Sequence, residues 1–326
     1  MTVGVTAVAG RDPNDRRADR GVPTEAIALV ADRRLTYEDN SVTETWVPKI
    51  RGIIGEGSTI RTTWSALYAG DNSVIDEIKA DVVANPENGS LHKHPGWPKV
   101  EDVAGAVARS VAKMYARGYD AHVYAPFALT RKLVVSRPVG MAMLPEQMIE
   151  KVVDRGMDFD RGAIEFGCEL ALCGFDDRDP LPHIDRMPPL GGRSAILHVS
   201  VKGKITYAYD TGFCTIGEGC DTATARLELL RYRPWMDLGT VLYMALDAKW
   251  TAERVASVGP STDAWVLLPH RSLPVYVNVE APGLIEALAA VRGREMRGAA
   301  FQYMLPDEPT LPVPPSDWAE QLWAFV

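Results

Sequence analysis

The sequence predicts an α+β fold with antiparallel sheets, and three observations carry that expectation. Strand-like and helix-like stretches come in segregated runs, where a parallel sheet would require strict alternation. The strand candidates are short, apolar and bounded by Gly, Pro and charged clusters. One adjacent pair, "SAILHVSV" (194–201) and "KITYAYD" (204–210), is joined at "KG" in the manner of a hairpin turn.

The elements follow in order. "TVGVTAVA" (2–9) and "AIALVA" (26–31) open the chain as two strands of a hairpin whose long connection is "GRDPNDRRADRGVPTE". "VPKIRGII" (47–54) and "IRTTWSALYA" (60–69) come next, the second rich in β-branched and aromatic residues. Helical spacing then takes over. Behind "GDNS", whose Asp71 to Ser73 offer caps, Val74, Ile75, Ile78 and Val82 share one side of a helix. From Val100 a second helix carries Val103, Val107, Val111, Met114 and Tyr115, with Gly118 as its expected stop. "LPEQMIEKVVDRG" (144–156) predicts a shorter amphipathic helix ending at Gly156.

Strands return with "AIEFGCELALCGF" (163–175) and the hairpin already described. Two helices are predicted next, over "DTATARLELLRY" (221–232) and from about Asp237, where Leu238, Val241, Leu242, Ala245 and Leu246 recur at helical intervals. "AWVLLP" and "PVYVNVE" form a last strand pair ahead of a helix around Leu284 to Val291. The end, "LPDEPTLPVPPSDWAEQLWAFV", is a proline-rich run followed by a short aromatic helix.

Composition bounds the function. With 326 residues, 46% of them hydrophobic, the chain is long enough to bury a sizeable core. Its net charge of -8 argues against a nucleic-acid binder, because phosphate binding needs a concentrated basic surface. The cluster of Arg16, Arg17 and Arg20 is interleaved with Asp12, Asp15 and Asp19, as in a solvated mixed-charge loop. No apolar run reaches membrane-spanning length and no secretory pattern stands at the start, so the expectation is a cytoplasmic protein without membrane contact. The 4 cysteines read as reduced, buried thiols. Cys168 and Cys173 lie five apart in a strand candidate and so face opposite sides. His92 and His94 read as loop residues, and no dinucleotide or phosphate loop motif appears; neither a metal nor an organic cofactor is expected.

"TVGVTAVA", "AIALVADRR", "PKI" and "LYAGD", followed by "CELALCGFD", "TYAYDTGFCTIGEG" and "DTATARLELL", together resemble proteasome-type β subunits, members of the N-terminal nucleophile hydrolases. The resemblance covers most of residues 2–124 and 163–270 and rests on the order of short motifs. It implies a four-layer αββα sandwich with antiparallel sheets, as one domain over 1–300 with an inserted helical segment at about 125–162, followed by a proline-rich extension over 301–326. It also implies a hydrolase of the threonine protease type. Removal of Met1 would expose Thr2, whose hydroxyl is the nucleophile and whose α-amine, with an ordinary pKa near 7.7–8.0, accepts the proton. Asp32 matches the family's aspartate and Lys49 its lysine: the ammonium favours an alkoxide and a neutral amine, and the carboxylate orients the lysine. Gly70 matches the glycine whose N–H faces the developing oxyanion.

The chain also departs from the family. Where the family carries a serine in its "GSG" turn, this sequence has "GEG" with Glu218. Of the supporting aspartate and serine that follow, Ser257 in "ERVASVG" matches the serine, while the aspartate position reads as Arg254 or Glu253. The segment "TYAYDTGFCTIGEG" is expected to form a hairpin leading into the glycine-flanked turn. The resemblance implies a peptide or protein substrate and a homo-oligomeric ring or other closed assembly, and leaves room for an ATPase or other regulatory partner. Two alternatives stay open: a catalytically inactive ring subunit of the same fold, and an amidase acting on a small molecule.

Overall fold

The computed structural model describes residues 3–10, 25–32, 35–36, 42–43, 49–54, 64–84, 99–131, 145–161, 166–176, 193–208, 210–236, 238–255, 258–259, 261–268, 274–277 and 279. In chain order the strands are β1 (Val3–Ala9), β2 (Ala26–Asp32), the two-residue β3 (Leu35–Thr36) and β4 (Val42–Thr43), β5 (Ile50–Ile54) and β6 (Trp64–Gly70). Helices α1 (Asn72–Ala84), α2 (Val100–Tyr119) and α3 (Glu146–Asp160) precede β7 (Cys168–Asp176), β8 (Arg193–Val199), β9 (Ile205–Tyr207) and β10 (Phe213–Gly217). The described part ends with α4 (Cys220–Leu229), α5 (Leu238–Ala252), β11 (Thr262–Leu267) and β12 (Val275–Val277).

Two five-stranded sheets organise these elements, one ordered β10-β1-β2-β11-β12 and the other β5-β6-β7-β8-β9. Every neighbouring pair in both is antiparallel. The period of two residues along a strand divides the apolar side chains between two faces. In β1, Val3, Val5, Ala7 and Ala9 join a cluster with α4 and α5, while Val8 turns to a cluster drawn from both sheets. In β7, Cys168, Leu170 and Leu172 pack with α1 and α2, and Ala171, Cys173 and Phe175 enter the shared cluster. The two cysteines therefore face opposite sides, as their spacing predicts.

Three expectations are corrected. The second helix does not stop at Gly118; it runs to Tyr119 and continues through a π-helical turn over Asp120–Tyr124. Gly118 is there for packing, since a β-carbon would fall 2.0 Å from the Phe166 ring. Gly156 likewise lies within α3, beneath the Tyr119 hydroxyl, and the helix continues to Asp160. The third correction concerns "TYAYDTGFCTIGEG", which is not a hairpin: β9 pairs with β8 in one sheet and β10 with β1 in the other. Tyr232 braces this crossing, its hydroxyl 2.6 Å from the Val8 carbonyl and 2.8 Å from that of Gly212. The predicted helix around 284–291, the extension over 301–326, and His92 and His94 lie outside the described residues.

Candidate functional site

Strand register brings one set of strand ends together. Val3 pairs with Gly217, Gly4 with Ala31, Asp32 with Thr262, and Gly70 with Cys168. The start of β1 therefore shares one end of its sheet with the ends of β2 and β10 and the start of β11, and in the second sheet the end of β6 lies beside the start of β7. Lys49 stands just before β5, its carbonyl accepting the Tyr68 N–H at 3.1 Å.

Asp32 is fully buried, and its two carboxylate oxygens are used differently. Oδ1 accepts the Val3 N–H at 3.3 Å, and Oδ2 accepts the Gly259 N–H at 3.0 Å. The carboxylate thus holds the peptide nitrogen immediately following residue 2 and, with its other oxygen, the stretch between α5 and β11. Lys49 is 2% exposed. Burial pushes its ammonium pKa down, the Asp32 charge pulls it back up, and Arg51 lowers it again, leaving it below its ordinary value. Its Nζ lies 5.2 Å from the centroid of the Tyr68 ring, within cation–π range. Desolvation also pushes the Tyr68 phenol up to about 12, so Tyr68 faces Lys49 as a neutral ring across the neutral pH range.

Gly70 has φ +121°, and a β-carbon there would lie 2.4 Å from the Gly167 carbonyl oxygen. Backbone crowding by itself requires glycine at this position. The next residue, Asp71, donates its N–H to the same carbonyl at 3.0 Å. Together these contacts fix the turn from β6 into α1.

A second polar group, which sequence reasoning missed, lies toward β10. Glu169 of β7 accepts the Gly217 N–H on Oε2 at 3.0 Å, and its Oε1 lies 2.6 Å from His198 Nε2 on β8. Burial works to raise the Glu169 pKa, but the His198 hydrogen bond and the Gly217 N–H outweigh it and hold the carboxyl below its ordinary value. Also missed was Lys249, fully buried in α5, which donates to the Gly259 carbonyl at 2.8 Å and to Glu253 Oε1 at 2.7 Å. Gly259 is therefore held by Lys249 through its carbonyl and by Asp32 through its N–H.

Among solved structures the chain is similar to Anbu (ancestral beta-subunit) from Yersinia bercovieri, at 14% identity and a TM-score of 0.56 over 94% of this chain and 99% of that one. Anbu from Hyphomicrobium sp. strain MC1 aligns at 13% identity and a TM-score of 0.55, over 95% of this chain and 100% of that one. The fold is proteasome-like. A mutant of the Hyphomicrobium protein gives the same TM-score at 14% identity. No protein-family model matches the chain, and no curated protein matches it.

Within this Anbu-like fold the expected site residues divide. Asp32 and Lys49 are brought together and buried, and Gly70 closes the neighbouring strand, while Thr2 and Ser257 lie outside the described residues. Glu218 is exposed. Of the two residues read at the aspartate position, Glu253 is bound to Lys249 and Arg254 is exposed. The nearby buried carboxylate is Asp263, at the start of β11 and opposite Ala31. Its place in the alternating run "STDAWVLL" could have drawn notice, because the run otherwise buries apolar residues on that face. Among the described residues, no helix is long and apolar enough to cross a membrane.

Proposed function

We propose that the chain is a proteasome-like N-terminal threonine hydrolase that cleaves peptide bonds, on a four-layer αββα sandwich, with Thr2 exposed by removal of Met1. The observation that carries this reading is the Asp32 carboxylate, which binds the Val3 N–H and lies in the electrostatic field of a buried lysine. A carboxylate at the peptide that follows a threonine, with a lysine ammonium in its field, offers charge stabilisation of the kind a developing alkoxide needs.

In the proposed mechanism the Thr2 α-amine takes the hydroxyl proton, directly or through water, as the oxygen attacks the substrate carbonyl. Lys49 stabilises the developing alkoxide, Asp32 sustains its charge, and the Gly70 N–H receives the oxyanion. The amine's proton goes to the departing nitrogen, leaving an ester that water hydrolyses. Ser257 supports the amine. The reading extends to a closed homo-oligomer in the cytoplasm that takes peptide or protein substrates, with an ATPase or other regulator as partner; the likeness to a protein titled as an ancestral β-subunit supports its oligomeric part.

The test is the intact mass before and after a peptide epoxyketone, with Thr2→Ala alongside. Loss of Met1 and one stoichiometric adduct, absent from the variant, is the expected result. A retained Met1 overturns the mechanism and favours the inactive ring subunit, to which the exposed Glu218 in place of a hydroxyl already points. Processed protein without an adduct favours an amidase acting on small molecules.

A further inference from the structure

The Glu169 and His198 pair has no part in the proposed mechanism, yet it is built into the same end of the molecule. By the alternation of β7 and β8, Glu169 shares a face with Ala171 and Cys173, and His198 with Ile196, all in the cluster between the sheets. Both side chains remain about a third exposed, at 31% and 30%. A carboxylate only accepts, so His198 presents Nε2 as the donor and Glu169 is left with Oε2 for a second partner. That partner lies in the opposite sheet: the N–H of Gly217, the residue paired with Val3.

The turn thus tied is pressed against β1. Gly217 has φ +82°, a conformation that carries the chain out of β10 and that L side chains rarely adopt. Two residues on, a β-carbon at Gly219 would lie 3.0 Å from the Val3 β-carbon, 3.0 Å from Val258 and 3.1 Å from Ala252. The turn therefore packs close beside Val3, with room there for a glycine but not for a side chain without displacing the start of β1. Asp32 holds Val3 from the β2 side, and Glu169 holds it through Gly217 from the β10 side.

We propose that Glu169, oriented by His198, is a positioning residue for the start of β1: through the Gly217 N–H it fixes the turn that sets where residue 2 is presented. The proposal rests on the reading that residue 2 carries the chemistry. It assigns a function to the "GEG" flank that Glu218, being exposed, does not perform. Among the described residues, the Cys214 thiol on β10 and the Cys220 thiol on α4 also lie in the field of Glu169; burial is the main reason that both lie above their ordinary value.

The experiment measures the rate of epoxyketone adduct formation against reagent concentration for the wild type, Glu169→Ala, Glu169→Gln and His198→Phe, with thermal unfolding of each. Glu169→Ala should lower the limiting rate by about tenfold or more while leaving the half-saturating concentration unchanged, as misplacement of a reacting group does. Glu169→Gln keeps an acceptor for Gly217 and should recover most of that rate, and His198→Phe should fall between. An unchanged limiting rate in Glu169→Ala, a loss confined to half-saturation, or a glutamine variant as impaired as the alanine overturns the proposal. If Glu169→Ala does not fold, the order of the wild type, Glu169→Gln and His198→Phe decides. If the wild type forms no adduct, the hydrolase reading fails by itself. Amide exchange then judges the positioning: faster exchange at Gly217 and Val3 in Glu169→Ala upholds it, and unchanged exchange overturns it.

Discussion

The start of β1 is held from two sides that are built in different ways. Toward β2, a fully buried carboxylate takes two backbone N–H groups, with a buried lysine for counter-charge and a second buried lysine behind it at Gly259. Toward β10, a half-buried carboxylate takes one N–H and is steadied by an imidazole that water can reach. The difference teaches that the first side is costly to disturb and the second adjustable. A buried charge stripped of its partner has nowhere to find another, whereas a group near the surface can turn to water.

The sharpest way to break the contrast is Asp32→Ala. It leaves two buried N–H groups unpaired and Lys49 without its opposing charge, so a loss of about 3–5 kcal/mol in urea unfolding is expected. Gly70→Ala comes next. The new β-carbon meets the Gly167 carbonyl in a backbone conformation that alanine resists, and a loss of about 1–3 kcal/mol is expected from the strain, read by the same unfolding. Lys249→Met keeps the bulk of the side chain but frees the buried Gly259 carbonyl, costing about 1–3 kcal/mol and quickening amide exchange at Gly259 and Val3.

The adjustable side gives smaller, pH-dependent effects. Glu169 has a folded pKa below its ordinary 4.5, so its stabilisation is fully present above that value and is lost as pH falls through the lower, folded one. The acid limb of an unfolding profile should therefore flatten slightly in Glu169→Gln, while the profile above pH 6 keeps its shape. Smallest is a labelling difference. Burial pushes the Cys168 and Cys214 thiols up to about 12 and Cys173 higher still, so only the partly exposed Cys220 should react with iodoacetamide under native, mildly alkaline conditions. All 4 should react after unfolding.

Much of the fold was legible in the sequence because its strands are short apolar runs between strong turn signals, as with β1, β2 and β11. Helix ends were less so. Gly118 and Gly156 are glycines because an aromatic ring and a tyrosine hydroxyl lie against them, and sequence gives no sign of a neighbour that comes from another element. The sheet change after β9 was missed for a related reason: a turn between two strand-like runs looks the same whether they pair or part. Asp32 and Lys49 were singled out through resemblance, and both are buried, with the Asp32 charge acting on Lys49. Glu169, in contrast, is one of two charges in an otherwise apolar strand, and its partner is 29 residues away on the next strand, so neither residue marks the other locally. Lys249 and Asp247 lie in a helix that reads as one apolar stripe, but α5 is buried almost all round, and its charges are matched by Glu253 and by Arg226 of α4.

The crossing from β9 to β10 also bears on how the chain reaches this structure. β1 has β2 within reach after a separation of only 29 residues, from Val3 to Asp32. Its other neighbour comes 208 residues later, as the Thr6 hydroxyl bound to the Cys214 carbonyl records. On a ribosome that interval amounts to about 10–40 seconds, during which an apolar strand edge waits with open backbone groups. Yield on expression should therefore depend on temperature and chaperone supply more than final stability suggests, since an edge left open that long can pair with the wrong chain.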